Sequence, residues 1–492
     1  MSKIIAIALL LCLGINSKAQ DFTYFNKTYG GNDTINILAQ AVQPIEDGYL
    51  TLGNYADING VYAIYVRKID KNGDTIWFKY IEQGDVENLG NITTGLKVLK
   101  DSSNLLILYR KFSDISLTKL NFEGDTIMQK IYSRIGNQHA THIIKSLEGG
   151  YLIAGEESNS TLDTVSAYIL KIDSLGNKEW DKSYTYGNDT RFFNAQQYYD
   201  STYIFGAMTY TSATKYDMFV VKTQANGDTI WTKKFGSVRN DCGCIVQQKT
   251  TYEQYLNGAP PVYLVAGCYA SNNTDSYMYI LELNELGNVN WQKKYFAYSD
   301  QRLIQGLPII KPDGGFIAKG YFRNEGFPAV LIMDFDSIGG INWEQHYSFN
   351  PSGSIYAQDF QPIPGGYVLA GYQYNIPQTA WVFTIDSLGN TCGSPPCVET
   401  VVGLPEIVGN EQAAATFSLA PNPTQGSLAL TWLDPTAALG SKAVILDITG
   451  KQVHTFNVSS PNTFVDVSHL QTGIYFVQVA NGQEVQKLVV IK

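Results

Sequence analysis

Short apolar runs separated by Gly-, Asn- and Asp-rich turns follow one another along most of the chain. This is the pattern of β-strands joined by tight turns. One phrase recurs letter for letter, Asn72-Gly73-Asp74-Thr75-Ile76-Trp77 and Asn226-Gly227-Asp228-Thr229-Ile230-Trp231. Looser copies end at Met128, Trp180, Trp291 and Trp343, so an anchor residue returns every 51 to 60 positions. Asn-Gly supplies the left-handed residues a hairpin turn needs, and the anchor then sits on the departing strand. A second phrase, Gly-Gly-aromatic-apolar-x-x-Gly, starts at Gly149, Gly314 and Gly365, with Asp47-Gly48 as a variant. Before it lies a short strand such as Ile37 to Val42, and after it a strand such as Ala63 to Ile69. Each repeat therefore predicts four strands. The extra residues of the one long gap fall at Thr250 to Pro261, which predicts a loop insertion.

The phase of the repeat is informative. One period before Trp77 lies Phe25, in Tyr24-Phe25-Asn26-Lys27-Thr28-Tyr29, which reads like the strand that normally ends a repeat. The last repeat has the opposite defect and breaks off at Thr391-Cys392. Two complementary halves make one whole unit, and pairing them removes the open edge strands. The expected fold is all-β: a seven-bladed β-propeller over 20–395, closed by the N-terminal strand. A linear stack of repeats would want caps at its ends instead. The units resemble the Trp- and Gly-rich propeller repeats of secreted bacterial proteins. Their spacing differs from the sialidase Asp-box, since Asp70 precedes Gly73 by three and Trp77 follows it by four.

Composition agrees with exposed strands: Tyr occurs 33 times and charged residues make up 16%. The net charge of -10 argues against a nucleic-acid partner. Residues 1–19 read as a signal peptide, with Lys3, an apolar run from Ile4 to Leu13 and Ser17-Lys18-Ala19 at the cleavage site. No later apolar stretch reaches the length of a membrane span. Export permits disulfides. Cys392 and Cys397 flank a Gly-Ser-Pro-Pro turn, and either Cys242 or Cys244 can reach Cys268, which leaves one thiol over.

Residues 396–415 read as a linker, and 416–492 as a small Ig-like β-sandwich of about seven strands. Four motifs stand there in order: Pro421-Asn422-Pro423-Thr424-x-Gly426, Asp447-x-x-Gly450-Lys451, Gly473-x-Tyr475-x-Val477, and a basic-apolar terminus from Lys487. On these motifs the segment resembles the type A C-terminal sorting domain of the type IX secretion system. The resemblance implies recognition by the type IX translocon and sorting machinery, removal of the domain, and release or attachment at the cell surface.

Catalytic constellations are sparse. His139 and His142 are expected on opposite faces of a strand, three residues apart. The repeated Asp70, Asp173, Asp336 and Asp386 are assigned to turn bonds, and no phosphate loop, nucleophile elbow or zinc motif occurs. Neither a metal site nor a cofactor is expected. Candidate ligand-binding residues lie on loops at one mouth of the ring: Asp33, Asp189, Arg191, Asp241, Asp300 and Arg302, which suit a polar ligand such as a glycan. The expected function is a non-enzymatic binding or adhesion module for a glycan or protein. The alternative is a secreted polysaccharide hydrolase or lyase with an acid pair at that mouth.

Overall fold

The computed structural model describes residues 22–491 apart from 31–34, 58–61, 84–95, 160–163, 213–214, 238, 271–275, 296–305, 325–326, 349–353, 375–377, 393–396, 402–416, 423, 433–441, 448–450, 459, 461 and 480–483. The expected signal peptide lies outside them. Two compact units divide the chain, Asp21–Val401 and the part from Val402 onward.

The first unit is built of small antiparallel sheets. β1 (Phe22–Tyr29) comes first in sequence. Four-stranded groups follow: β2 (Ile35–Ile45), β3 (Gly48–Asp57), β4 (Tyr62–Ile69) and β5 (Thr75–Gln83); then β6 (Lys97–Asp101), β7 (Asn104–Lys111), β8 (Asp114–Asn121) and β9 (Thr126–Tyr132). The third group is β10 (Asn137–Lys145), β11 (Tyr151–Ser158), β12 (Val165–Ile172) and β13 (Lys178–Tyr184), and the fourth β14 (Asp189–Gln197), β15 (Tyr203–Thr211), β16 (Lys215–Thr223) and β17 (Thr229–Phe235). A single parallel pair, Val165 with Asp189, links those two. The fifth is β18 (Ile245–Gln248), β19 (Tyr263–Ala270), β20 (Ser276–Leu283) and β21 (Val289–Tyr295), and the sixth β22 (Ile309–Ile310), β23 (Phe316–Asn324), β24 (Phe327–Phe335) and β25 (Ile341–Tyr347). The seventh holds β26 (Ser354–Ile363), β27 (Gly366–Tyr374) and β28 (Thr379–Asp386), and its fourth strand is β1.

β1 pairs antiparallel with β28, Thr28 opposite Trp381. Trp381 is fully buried, and its Nε1 donates to Asn26 Oδ1 at 3.1 Å. This is the pairing that the complementary halves predict. One expectation is corrected at its far side. Cys397–Val401, assigned to a linker, forms β29 and pairs with β1. The segment lacks period-2 alternation, but the free edge of β1 offers its backbone groups a partner. The insertion after β18 is also more than a loop. Tyr252–Leu256 forms the helix α1, opened by a capping box in which Thr251 and Gln254 satisfy each other's backbone N–H groups.

The repeated turn phrase explains itself at atomic level. Asp70 Oδ1 accepts from Asn72 N and Asp74 N, both at 2.8 Å, and Asp173, Asp336 and Asp386 repeat the arrangement. The glycine that follows has positive φ, as at Gly73 (80°) and Gly227 (83°). It also clears a space. A Cβ placed on Gly227 would lie 3.2 Å from Trp180 Cζ3 and 2.8 Å from Tyr184 Oη. The same holds for Gly124 under Trp77, Gly176 under Met128, Gly287 under Trp231, Gly339 under Trp291 and Gly389 under Trp343. Gly73 lies under Phe25, at 2.6 Å. The anchor of each group thus rests on the turn of the next, and Phe25 on β1 carries the contact from the seventh group to the first. A tyrosine four residues past the anchor reinforces it. Tyr29, Tyr132, Tyr184, Tyr295 and Tyr347 donate to the turn carbonyls of Gly73, Gly176, Gly227, Gly339 and Gly389 at 2.6 to 2.8 Å.

Apolar burial follows the same succession. Each hydrophobic cluster of this unit is shared by two neighbouring groups. One of them joins Phe25, Ile37 and Tyr65 to Val368 and Val382, across the seventh and first groups. Burying a large side chain in such a seam stabilises by roughly 1.5–3 kcal/mol.

The second compact unit carries two sheets with one apolar core between them. Their strands are β30 (Phe417–Ala420), β31 (Ser427–Trp432), β32 (Lys442–Asp447), β33 (Gln452–Asn457), β34 (Asn462–Asp466), β35 (Gly473–Val479) and β36 (Glu484–Val490). The sheet orders are β30-β31-β34 and β33-β32-β35-β36. Phe417, Leu430, Ile445, Val477 and Leu488 are fully buried between them.

Three substitutions separate turn strain from seam packing. Gly149 has φ 95° and nothing within 4 Å of an added Cβ, so Gly149→Ala should cost only about 1–2 kcal/mol of left-handed strain. Gly227→Ala and Gly73→Ala should each lose about 1–3 kcal/mol more through overpacking. Urea midpoints check this. If Gly73→Ala behaves like Gly149→Ala, the seventh-to-first seam bears no load.

Candidate functional site

The last glycine of the second repeat phrase shapes the interior. Ala39 pairs with Gly53, Ala140 with Gly155 and Ala357 with Gly371, and after each of those alanines the register slips by one residue. A Cβ on these glycines would lie 1.7, 2.1 and 1.8 Å from a carbonyl oxygen of the inner strand. Glycine is therefore the space into which a β-bulge folds. β14 has a fourth bulge, between Phe192 and Asn194, opposite Gly206. A bulge re-aims the side chains around it. The bulged residues Gln40, Thr141, Phe193 and Gln358 all line one cavity of about 690 Å³, to which all seven strand groups contribute.

At three of the four bulges the side chain of the residue that follows reaches the next inner strand. His142 Nδ1 accepts from Ala195 N at 3.3 Å, Asn194 Oδ1 from Val246 N at 2.8 Å, and Asp359 Oδ2 from Val42 N at 2.9 Å. The bond from Asp359 again runs from the seventh group to the first. The bulge also corrects the expectation for the histidines. With one residue inserted, His139 pairs opposite Glu156 and His142 opposite Ala154, which share a face of β11. His139 then meets Glu156 at 3.7 Å.

Two lysines enter the cavity from elsewhere. Lys319, on β23, is 3% exposed. Its Nζ donates to the bulge carbonyls of Ala357 at 2.5 Å and Gln358 at 3.1 Å. Burial pushes its pKa down to about 7, against the opposing pull of Asp359, and the charge of Lys97 adds to the depression. Lys97, on β6, is half-buried, and among the described residues its ammonium has no hydrogen-bond partner. Burial lowers its pKa as well, again opposed by Asp359. His142 falls to about 4, through burial and then the charge of Lys97, and is neutral near pH 7. Asp359 also accepts from Phe360 N at 2.8 Å and Gln361 Nε2 at 3.1 Å, both through Oδ1. Tyr321, Tyr356 and Tyr372 form one wall. Tyr356 meets Tyr321 edge-on at 5.3 Å and stacks on Tyr372 at 5.1 Å.

None of the described residues proposed from sequence lines this cavity, although Asp241 immediately precedes the lining segment that starts at Cys242. Asp189 and Arg191 form a two-pronged ion pair at 2.8 and 2.9 Å, with Glu156 and Tyr216 beside it. Asp241 is 4% exposed and ties down Ser237 N and Ala270 N, and burial raises its pKa. Asp33, Asp300 and Arg302 lie outside the described residues. Cys242 and Cys268 form a disulfide, and Cys244 is the buried free thiol. Cys392 is disulfide-bonded, and the side chain of Cys397 lies outside the described set. Among the described residues no cluster of metal-ligating side chains occurs, and no helix is long and apolar enough to cross a membrane.

The sorting motifs hold the last strand in place. Asn422, after Pro421, accepts from Val489 N at 2.8 Å, and Thr424 bonds the backbone at Val489 and Ile491. Gly426 O receives Val467 N at 2.8 Å. Asp447 caps a turn through Lys451 N at 3.0 Å, Gly473 begins β35, and Tyr475 donates to Gln471 O at 3.0 Å. Lys487 lies on β36 opposite Phe476. Pro423 and Gly450 are outside the described residues.

Residues 418–492 match the family model described as the secretion system C-terminal sorting domain. That match supports export by the type IX route to the cell surface or the extracellular space. Among curated proteins none matches the chain. Solved structures similar to it include Drosophila Plexin A in complex with Semaphorin 1b, at 7% identity and TM-score 0.41, covering 75% of this chain and 87% of that one. A Mycobacterium tuberculosis puromycin-hydrolyzing peptidase matches at 10% and 0.45, covering 81% of this chain and 59% of its own length. The polysaccharide lyase Uly1 matches at 10% and 0.41, covering 74% and 92%. At these identities and scores, none of the three bears on activity or ligand.

Lys319 is a measurable burden on stability. Its proton is held less tightly in the folded chain than in the unfolded one, so the unfolded chain binds more protons above pH 7. Stability should therefore rise with pH there, by up to about 2–3 kcal/mol between about pH 7 and 9. Urea unfolding at several pH values should show this slope, and Lys319→Met should flatten it. An unchanged slope in the variant would mean that the ammonium is not buried in the folded state.

Proposed function

We propose that the seven strand groups close into a β-propeller and that this propeller is a binding module, exported by its sorting tail. One observation carries the architecture: four kinds of contact that join one group to the next recur between the seventh and the first. The anchor on the turn glycine, the tyrosine on its carbonyl, the shared apolar cluster and the bond from the post-bulge side chain all do so. A ring with no open edge suits a chain that works outside the cell. The module presents a polar ligand, a glycan or a protein, with a cavity at its centre and loops at its rim.

The binding reading is favoured over hydrolysis or lysis by an acid pair. Among the described lining residues the only carboxylate is Asp359, and three donors hold it. A general acid and base need two carboxylates with free lone pairs facing one substrate.

Two experiments test this reading. The purified protein, screened on a glycan array with a parallel assay for released reducing ends and unsaturated sugars, should bind without turnover. Turnover of any polymer would establish the enzyme instead. Deletion of residues 417–492 should leave the protein in the periplasm of its host. Appearance of the truncated form at the surface would remove the tail's role in sorting.

A further inference from the structure

The cavity carries a charge balance opposite to that of the chain. The protein has a net charge of -10, yet the described cavity lining holds two lysines against one carboxylate. That carboxylate is committed to Val42, Phe360 and Gln361. Two of the three protons on Lys319 Nζ go to bulge carbonyls, so one remains. Lys97 keeps all of its donors unassigned among the described residues. Both ammonium groups feel the pull of that one carboxylate, so two cations share a single counter-charge, and an anion arriving from solvent relieves the imbalance. Beside the lysines stands the wall of Tyr321, Tyr356 and Tyr372. Aromatic side chains pack against the C–H faces of a pyranose ring. The volume, about 690 Å³, is that of an ordinary small-molecule site.

We propose that this cavity binds a sugar acid, with its carboxylate met by Lys97 and Lys319 and its ring lying against the three tyrosines. The proposal deepens the binding-module reading and rests on it. It adds a ligand class and a location, a cavity whose described lining does not include Asp189, Arg191 or Asp241. His142, neutral near pH 7, lines the same cavity and offers a further polar contact. The anion is an organic acid and not a bare phosphate because an aromatic wall stands in the same cavity as the lysines.

Isothermal titration of the purified protein tests this with galacturonate, glucuronate and N-acetylneuraminate, with galactose as the neutral control and inorganic phosphate as the anion control. At least one acid should bind at one site per chain, and galactose and phosphate should bind about tenfold more weakly or not at all. Lys97→Gln removes an ammonium that holds no structural bond among the described residues. It should weaken the acid by about tenfold or more, the worth of one charge-assisted bond. Lys319→Gln should do the same, with thermal melts confirming that each variant is folded. Tyr356→Ala should weaken the acid and leave any residual phosphate binding unchanged. Absence of binding by all three acids overturns the proposal. So does galactose binding as tightly as its acid, phosphate binding as tightly as the acids, or acid binding that survives Lys97→Gln. A glycan-array ligand that binds the Lys97→Gln protein undiminished would leave the binding module standing and remove the cavity from it.

Discussion

An anchor side chain resting on a glycine is the contact on which the large unit depends. The glycine has two duties that no other residue can combine. Its positive φ turns the hairpin, and its missing Cβ admits the anchor of the preceding group. Local turn chemistry and non-local packing are thus fixed by the same position. This is why the phrase Asn-Gly-Asp-Thr-Ile-Trp recurs as a block: the Trp needs the next glycine, and the glycine needs its own Asp or Asn to hold the turn. Where the anchor is Met128 or Phe25 the contact persists with a different side chain, because an apolar face of suitable size is the requirement. A lysine two residues past the anchor completes the seam. Lys27 reaches Asp74 and Lys79 reaches Asp125, at 2.5 and 2.8 Å. These ion pairs are exposed and add little beside the apolar burial.

A second glycine does comparable work on the inner side. Gly53, Gly155 and Gly371 make room for a bulge, and the bulge places one residue toward the cavity and the next toward a neighbouring strand. The outer seam supplies stability and the inner bulge supplies a lined cavity, so the two tasks fall on different positions. Lys319 shows the separation most clearly. Its ammonium is buried at a cost to folding, at a position that takes no part in the seams. Sites that break a local rule are where function is commonly found.

The repeat made much of this legible in the sequence. The period placed the anchors, its phase placed Phe25 one period before Trp77, and the Asx turns followed from residue type alone. The bulges were not legible, because a bulge is a relation between two strands and the glycine that permits it looks like an ordinary strand end. Missing them put His139 and His142 on opposite faces. β29 was missed because its residues do not alternate, and it pairs only because β1 has a free edge. The cavity residues escaped for a more general reason. Repeat analysis finds positions at which the units agree. Lys97, His142, Asn194, Lys319 and Asp359 are residues in which the units differ.

That difference bears on how such a cavity acquires specificity. The groups share their turns and seams, so each can change its inward residue without disturbing either. Ala41 stands at the post-bulge position of the first group, where His142, Asn194 and Asp359 stand in others. Small residues there leave room, and polar ones bind the next strand as well as facing the interior. A side chain that already holds a neighbouring backbone N–H is fixed before any ligand arrives, which lowers the ordering cost of binding. Asp359 and Asn194 are fixed in this way. Lys97 is not, and neither bulge nor neighbour accounts for its place. An ammonium kept half-buried without a structural partner is therefore the group in the large unit whose presence is best explained by something that comes from outside it.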